Sequence, residues 1–171
     1  MSPSPFVMEW IGRVPRRVDR AARVLDVAMG RGRHAIDLAR AGFHVFGIDR
    51  DRAAMRDAMN RAAAQSTHLA CWCADLTSYP LASNWFDVIV VTRYLQRDLF
   101  SSLADALVPG GTLVYETFTT AQRALGSGPT SADHLLEPGE LRRAFGALEM
   151  LHYEEVASPE AVARLAARRR A

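Results

Sequence analysis

The sequence contains no lysine, so all 21 of its basic residues are arginine, balanced by 19 acidic residues. Together with the many alanines, this bias is typical of a GC-rich coding sequence. The formal net charge of +2 is too small to indicate nucleic-acid binding. The arginine run at residues 168–170 is short and terminal, which is typical of a solvated tail. Charge therefore gives no indication of a polyanionic partner.

Long apolar runs are also missing, and none approaches the ~20 residues that a membrane span requires. The first ten residues, MSPSPFVMEW, lack the basic start and apolar stretch of a secretory signal, which favours a cytoplasmic location. With 171 residues, 49% hydrophobic and 23% charged, the composition is that of an ordinary globular protein. We expect one domain with a sizeable core.

Cysteine is scarce, with only Cys71 and Cys73 present. The two thiols are two positions apart in a predicted strand, so they share one face of it. No cluster of His or Cys lies nearby in the sequence, so we predict no metal site, and a cytoplasmic disulfide is improbable. Both cysteines are predicted to be packing residues.

Apolar runs alternate with helical patterns along most of the chain. Strands are predicted at residues 24–28, 45–49, 68–73, 86–92 and 112–118, and helices at 33–41, 52–64 and 95–107, the last stopped by a turn at 109–111. This alternation predicts βαβ units and a Rossmann-like α/β fold with a parallel sheet. An earlier apolar face predicts an N-terminal helix that ends near Pro15 and presents Phe6, Val7, Trp10, Ile11 and Val14.

The pattern changes after residue 118. Residues 119–134 are polar and rich in turn formers, which predicts a functional loop over a site. A helix at 137–145 and a strand at 148–156 follow, whereas the composition of 161–168 favours a helix. The expected organisation is a single domain over 1–171, with an N-terminal helix or lid (1–20), a cofactor-binding core (21–118), a loop over the site (119–136) and a C-terminal helix with two further segments (137–171).

The strongest motif follows the first predicted strand, where a glycine loop, Met29-Gly30-Arg31-Gly32, leads into a helix. Glycine permits a sharp turn and the close approach of a ligand, and the N–H groups of the following helix suit a carboxylate or phosphate. Because Gly30-x-Gly32-x-x-Ala35 also matches a dinucleotide fingerprint, NAD(P) and S-adenosylmethionine are both candidates. Three features favour S-adenosylmethionine over NAD(P). They are Asp26 inside the strand end, the Pro-Gly-Gly turn, and a short C-terminal part that leaves no room for a dehydrogenase substrate domain.

Three segments carry a family resemblance: VLDVAMGRGRHAIDLARAGFHVFGID, WFDVIVVTRYL and LVPGGTLVYETF. They resemble motifs of class I S-adenosylmethionine-dependent methyltransferases, and the chain is similar from about residue 5 onwards to small bacterial members such as the tellurite- and thiopurine-modifying enzymes. VYETF followed by LLEPGEL resembles a group of uncharacterised bacterial members. The resemblance implies a seven-stranded, mostly parallel sheet of order 3-2-1-4-5-7-6, with the last strand antiparallel and helices on both faces. It also implies that 148–156 and 161–168 form a β-hairpin.

The resemblance implies a set of cofactor-binding residues. The methionyl end would lie against Asp26 and the glycine loop, the two ribose hydroxyls on the carboxylate of Asp49, and the adenine amino group on Asp75 beside the N–H of Leu76. Taken alone, Asp49 is equally suited to cap the next helix and Asp75 to start a turn. Ala28 replaces the first glycine of the motif, and Met29 replaces a smaller residue, which would narrow the site. The predicted set is Asp26, Ala28, Met29, Gly30, Gly32, Asp49, Arg50, Asp75, Leu76 and Thr92.

Four residues are candidates on the acceptor side: Arg93, Tyr94, Glu116 and His34. Arg93 offers a positive fork for a carboxylate, phosphate or oxyanion, and the alternative is that it faces solvent or pairs with Asp98. Glu116, at the end of the fifth strand, is suited to act as a base, to orient the acceptor or to anchor the following loop. His34 is a candidate base, but a structural role is favoured. Phe6 and Trp10 are candidates for a lid, although core packing is favoured.

Resemblance also narrows the acceptor, because enzymes that methylate exocyclic amines of bases carry an Asn/Asp-Pro-Pro-aromatic motif where this chain has Thr92-Arg93-Tyr94-Leu95. We therefore expect a small-molecule acceptor, no membrane or nucleic-acid partner, and a monomer or homodimer. A dinucleotide-dependent oxidoreductase and a non-catalytic binding module remain as alternatives.

Overall fold

A single seven-stranded sheet organises the computed structural model, which describes residues 2–15 and 18–171. Its strand order is β3-β2-β1-β4-β5-β7-β6, as predicted. The first five strands are parallel, and β7 runs antiparallel to both β5 and β6. The strands are β1 (Arg23–Val27), β2 (His44–Asp49), β3 (Ala70–Cys73), β4 (Phe86–Thr92), β5 (Leu107–Phe118), β6 (Glu149–Val156) and β7 (Val162–Arg168).

In the part of the chain that the structure describes, five α-helices cover the two faces of this sheet: α1 (Pro5–Gly12), α2 (Ala35–Arg40), α3 (Arg52–Ala64), α4 (Phe100–Ala106) and α5 (Glu140–Ala144). Side chains alternate along each strand, so Val24 packs with α1, α2 and α3 whereas Leu25 packs with α4 and α5. Every residue of β4 is buried, as its run of apolar residues predicts for a central parallel strand. The predicted class is therefore confirmed, with helices on both faces.

The C-terminal segment is a strand, not the helix that its composition favours. Residues Val162–Arg168 pair with β5 on one side and β6 on the other, so backbone pairing outweighs the alanine content. The hairpin implied by the family resemblance is confirmed. Within the described residues, no helix combines the length and apolar character needed to cross a membrane, and no group of acidic, His and Cys side chains is arranged to hold a metal ion.

Several predicted boundaries are wrong. The helix predicted at 95–107 begins as a 3-10 turn at Arg97–Leu99 and ends at Ala106. The Pro109–Gly111 turn lies inside β5, because Leu107 already pairs with Phe86 and the ladder resumes at Thr112. Residues 108–111 thus form a bulge, and a Cβ on Gly111 would lie 2.9 Å from the Val108 carbonyl oxygen.

The two cysteines have different environments. Cys71 is half-buried, with its Sγ 3.6 Å from the Sδ of Met29, as expected of a packing residue. Cys73 is exposed, so its predicted packing role is wrong. The reason is that β3 is an edge strand, and its carboxyl end opens towards solvent.

Met29 occupies space that Gly47 leaves on the neighbouring strand. The Met29 side chain is buried in the core formed with α2 and α3. A Cβ on Gly47 would lie 1.9 Å from the Met29 Sδ, far inside contact distance. The large residue in the glycine loop therefore depends on the absence of a side chain at position 47. The expectation that Met29 narrows the site is wrong, because its side chain points into the core.

We expect Gly47→Ala to lower the free energy of unfolding by about 1–3 kcal/mol, because the new methyl group overpacks the core against Met29. In Met29→Ala the same Gly47→Ala change should cost less, which urea denaturation of the double-mutant cycle would measure. Gly12→Ala is the matched control, since a Cβ there meets nothing within 4 Å. Equal costs of Gly47→Ala in both backgrounds would contradict the pairing.

Candidate functional site

A cavity of about 430 Å³ opens at the carboxyl ends of the parallel strands, where β1 and β4 lie side by side. In open α/β sheets this switch point between the two halves is where ligands bind. Seven of the predicted site residues line it: Ala28, Asp49, Arg50, Asp75, Leu76, Arg93 and Tyr94. The other lining residues are Ala74, Thr77, Leu95, Gln96, Phe118, Pro129 and His134. Two residues of the polar segment after β5, Pro129 and His134, therefore face the same cavity.

The glycine loop uses its two glycines differently. Gly30 has a φ of +51°, and a Cβ there would meet nothing within 4 Å, so this position leaves open space beside the cavity. Gly32 has a φ of +70°, and a Cβ there would lie 2.9 Å from the Cβ of Ala58. Gly30 is thus the position that allows close approach, whereas Gly32 lets α3 pack against the loop. Ala28 also has a positive φ, +53°, and holds it without being glycine.

Asp49 ties the end of β2 to the glycine loop. Its Oδ2 accepts the Gly30 N–H at 2.7 Å and its Oδ1 accepts the Asp51 N–H at 2.8 Å. The alternative that Asp49 caps the next helix is wrong, because the side chain of Asp51 accepts the first free N–H groups of α3, those of Ala53 and Ala54. The Asp49 carboxylate is left at the cavity wall, with each oxygen keeping a further lone pair.

Asp75 both starts a turn and lines the cavity. Its Oδ1 accepts the N–H of Thr77 at 2.9 Å and the Thr77 hydroxyl at 2.8 Å. These two hydrogen bonds lower the pKa of the Asp75 carboxyl. Asp75 is therefore an exposed carboxylate held in place at the end of β3, and the buried Leu76 lies beside it.

Asp26 is buried beneath the loop and does not line the cavity directly. Its Oδ2 accepts the N–H of Ala35 at 3.1 Å, at the start of α2. Burial outweighs this hydrogen bond and raises the pKa of Asp26 to about 7. A cationic group placed against Asp26 would favour its charged form.

His34 links the N-terminal segment to the end of β4. The backbone N–H of Ser4 donates to its Nε2 at 2.9 Å, so that nitrogen carries no proton. The Nδ1–H faces the Thr92 hydroxyl at 3.4 Å. Burial, with Arg33 and Arg93 nearby, lowers the pKa of His34 to about 4. Because the lone pair of Nε2 is already engaged, the arrangement favours a structural role and not that of a general base.

Arg93 is paired, although not with the residue suggested by the sequence. One terminal nitrogen contacts both carboxylate oxygens of Glu160, at 2.8 and 2.7 Å, and the guanidinium lies over the Phe118 ring at 5.5 Å. The alternative of pairing with Asp98 is therefore wrong, because the segment before β7 brings Glu160 to this position, while Arg93 itself is exposed, as the solvent alternative predicts. The Arg93 backbone has a φ of +53°, and its N–H donates to the Glu116 carbonyl at 2.8 Å.

Glu116 is also paired. It is buried, and its Oε2 accepts a hydrogen bond from the Nε of Arg164 at 2.7 Å. The Nη1 of Arg164 donates to Glu154 at 3.0 Å. A carboxylate so engaged is poorly suited to take a proton from an acceptor. Arg164 connects β5 to β6 through β7, so Glu116 also stabilises the hairpin against the sheet.

A second, smaller pocket of about 190 Å³ lies beside the first and shares Arg93 with it. Its walls are the N-terminal residues Ser2, Pro3, Ser4 and Pro5, the charged residues Arg33, Arg93, Glu116, Glu160 and Arg164, and Val156, Pro159 and Val162. Phe6 and Trp10 instead pack in the core against the ring of His152, so the favoured packing interpretation is confirmed for both. Residues 2–5 are the part of the predicted lid that faces the site, and residues 1, 16 and 17 of that region lie outside the described chain.

Two anchoring residues were not identified from the sequence. The buried hydroxyl of Tyr115 donates to the Tyr94 carbonyl at 2.9 Å and holds the chain after β4. Gln122 accepts the Ala161 N–H at 2.7 Å and donates to the Ser127 carbonyl at 2.9 Å, which fixes the polar segment to the start of β7. A tyrosine inside a β-branched run is a signal that sequence reasoning had available, whereas a glutamine in a polar loop gives none.

The family is decided by a match between residues 24–111 and the model of the methyltransferase domain. That span is more than half of the 171 residues. The chain belongs to the methyltransferase domain family. The predicted methyltransferase class is thereby confirmed at the level of the domain family.

This methyltransferase domain is similar to several known proteins, among them one curated protein and two solved structures. A protein-L-isoaspartate O-methyltransferase of Bradyrhizobium sp. (strain ORS 278) is 30% identical over 115 residues, which are 64% of this chain and 51% of that protein. The solved structure of TehB from Haemophilus influenzae has a TM-score of 0.80 at 17% identity and covers 98% of this chain and 63% of its own. An S-adenosylmethionine-dependent methyltransferase from Mesorhizobium loti has a TM-score of 0.70 at 22% identity, over 94% and 97% of the two chains.

This methyltransferase domain spans only 19% to 51% of the length of the curated relatives that it matches. The two structural similarities concern the fold, since both identities are below 25%. The acceptor side therefore has to be argued from this chain's own residues.

Because His34 is neutral in the folded chain, the free energy of unfolding that is lost on mutating it should depend on pH. The pKa of His34 is about 4 in the folded chain, whereas in the unfolded chain it has its ordinary value of 6.5. The stability that His34 contributes is therefore present above pH 6.5 and is lost as the pH falls through that window, by about 1.4 kcal/mol per pH unit. His34→Gln should destabilise most at pH 8 and much less at pH 5, by urea denaturation. The same cost at both pH values would refute the neutral assignment.

Proposed function

We propose that this chain transfers the methyl group of S-adenosylmethionine to a small acceptor that carries its own lone pair. The observation that carries the proposal is the cavity at the β1–β4 switch point, with the Asp49 and Asp75 carboxylates on its wall and the open Gly30 position beside it. Its volume of about 430 Å³ lies within the range of small-molecule sites. The residues present therefore fit an adenosyl cofactor.

The cofactor contacts follow from the two carboxylates on the cavity wall. The Asp49 oxygens each accept one backbone N–H and keep a lone pair towards the cavity, which suits a pair of neighbouring ribose hydroxyls. Asp75 is held in its turn by Thr77, beside the Leu76 backbone, and suits an exocyclic amino group. Ala28 and Arg50 line the same cavity wall as these carboxylates. Gly30, Gly32, Met29 and Thr92 contribute through the backbone and through packing around the cavity.

The buried Asp26 also supports this choice of cofactor over a dinucleotide. Its carboxyl lies under the glycine loop, where it suits the cationic amino group of a methionyl chain. A pyrophosphate in the same place would find no ionic partner in Asp26 and would raise the pKa of this carboxyl further. The dinucleotide alternative is therefore disfavoured by charge as well as by the family.

When bound, the cofactor supplies an already activated methyl group on a sulfonium. The tasks left to the chain are to align the acceptor and to exclude water, and good alignment is worth ~7–11 kcal/mol of barrier. His34 and Glu116 are each engaged in other bonds, so neither is available as a base. This favours an acceptor that reacts from a lone pair without losing a proton first. The predicted cytoplasmic location and the monomeric or homodimeric state stay predictions.

Removing the charge of Asp49 should weaken cofactor binding. We expect Asp49→Asn to bind S-adenosylhomocysteine roughly tenfold to hundredfold less tightly, because the charged acceptor for two hydroxyls is lost. Isothermal titration calorimetry measures this directly. Asp51→Asn is the matched control: it caps α3, asparagine is an equally good cap, and its side chain is not part of the cavity wall. Unchanged affinity in Asp49→Asn would contradict the assignment.

Binding should also release a proton from Asp26. At pH 6 the carboxyl is mostly protonated because its pKa is raised to about 7, and a cationic amino group beside it would favour ionisation. The affinity for S-adenosylhomocysteine should therefore rise from pH 6 to pH 7, by at most about tenfold. Calorimetry in two buffers of different ionisation enthalpy counts the proton, and Asp26→Asn should abolish its release. Proton release that persists in this variant would assign it to another group.

A non-catalytic binding module would pass both binding tests and still transfer nothing. The assay that separates it from an enzyme measures formation of S-adenosylhomocysteine from S-adenosylmethionine with a panel of small thiols, amines and oxyanions. Turnover with any member, absent in Asp49→Asn, supports the proposed activity.

A further inference from the structure

The second pocket contains a guanidinium without a bonded partner. Arg33 is half-buried, and across residues 2–15 and 18–171 it has no hydrogen bond or ion pair. The other two arginines of this pocket are both engaged, Arg93 by Glu160 and Arg164 by Glu116 and Glu154. Three arginines and two glutamates line the pocket, and Glu154 from outside it also pairs with Arg164, so Arg33 is the one lining arginine left without a bonded partner among the described residues.

Burial makes the unpaired charge of Arg33 unfavourable. Loss of solvation is the largest cause that lowers the pKa of Arg33, and repulsion by Arg93 is the next. Glu116, Asp26 and Glu160 act in the opposite direction without bonding to it. An anion placed between Arg33 and Arg93 would relieve the repulsion and supply the missing partner, because a guanidinium fork binds planar oxyanions through paired hydrogen bonds.

The pocket has a wall that is fixed in place. Ser4 is held by the bond from its N–H to His34, and its hydroxyl caps α1 by accepting the Val7 N–H at 3.5 Å. Residues 2–5 thus form one wall of the pocket, which residues of β5 and β7 also line. Because Arg93 lies on the walls of both cavities, a molecule in the second pocket would lie next to a cofactor in the first.

We propose that this pocket receives the methyl acceptor, that the acceptor carries a carboxylate, and that Arg33 is the residue that binds it. The inference rests on the proposed function, since it places the acceptor beside the adenosyl cavity. It assigns recognition to Arg33 instead of Arg93, whose guanidinium is occupied by Glu160. Arg93 and Arg164 then hold the two glutamates in fixed positions, so that these do not repel the ligand from an otherwise cationic pocket.

The test compares carboxylates with their neutral amides. Acetate and benzoate, with acetamide and benzamide as isosteric partners, are titrated into protein saturated with S-adenosylhomocysteine and followed by calorimetry or NMR. We expect the carboxylates to bind and the amides to bind at least about tenfold more weakly. In Arg33→Gln the preference for the carboxylates should disappear, and Arg33→Lys should restore part of it.

Arg31→Gln is the matched control, because its side chain is 78% exposed and lies on the same loop. It should behave as the unmodified protein, which excludes a general effect of lost positive charge. Equal binding of acids and amides, no binding of either, or unchanged selectivity in Arg33→Gln would overturn the proposal.

A separate experiment tests whether Arg33 binds the carboxylate of the methyl donor or that of the acceptor. S-adenosylhomocysteine carries a methionyl-type carboxylate, whereas 5′-methylthioadenosine lacks the amino-acid part. If Arg33→Gln weakens binding of the first compound and not of the second, Arg33 binds the cofactor and the proposal is overturned. If unmodified protein binds neither compound, the failure lies in the proposed function and not in the acceptor pocket. Unchanged binding of both compounds, with loss of carboxylate selectivity, supports the assignment.

Discussion

The hydrogen bond from the Gly30 N–H to Asp49 joins the loop after β1 to the end of β2. It places a carboxylate against a backbone position that has no side chain, and the cavity wall between Ala28 and Asp75 is built outward from this contact. Ala28 accepts a positive φ to make the turn, which indicates that the surrounding strands determine the backbone more strongly than the residue's own preference. Local strain at this loop thus accompanies the geometry that a ligand requires.

The loop is supported from behind by packing. Met29 fills the space that Gly47 leaves empty, and Gly32 allows α3 to come within contact distance. These three positions lie on or beside the glycine loop and face away from the cavity. Two residues of a motif that resembles a ligand-binding signature, Met29 and Gly32, therefore serve packing. The sequence alone assigned Met29, Gly30 and Gly32 all to the ligand, because the pattern within one segment carries no information about the neighbouring strand.

The fold was largely predictable, since each strand and helix of the sheet is visible as a change of hydrophobic period, and the successive acidic residues Asp26, Asp49 and Asp75 fall at strand ends. Residues 161–168 show the limit of this approach, because pairing on both sides decides their structure against their composition. The partners of Arg93 and Glu116 were not predictable for the same reason. Glu160 and Arg164 are distant in sequence, and only the antiparallel return of β7 brings them to the carboxyl end of β4 and β5.

The pairing of charges around the second pocket also limits which side chains can act as a base. The side chains that would ordinarily act as bases are engaged, His34 by the N-terminal segment and Glu116 by Arg164, so the site is organised to hold charge and not to move protons. A reaction with an activated donor needs little more than this, because most of its barrier is lowered by position. The unpaired charge at Arg33 would then select among ligands, because a half-buried cation favours ligands that neutralise it and disfavours those that leave it unpaired. Specificity in such a site would come from electrostatic complementarity, while the rate would come from alignment.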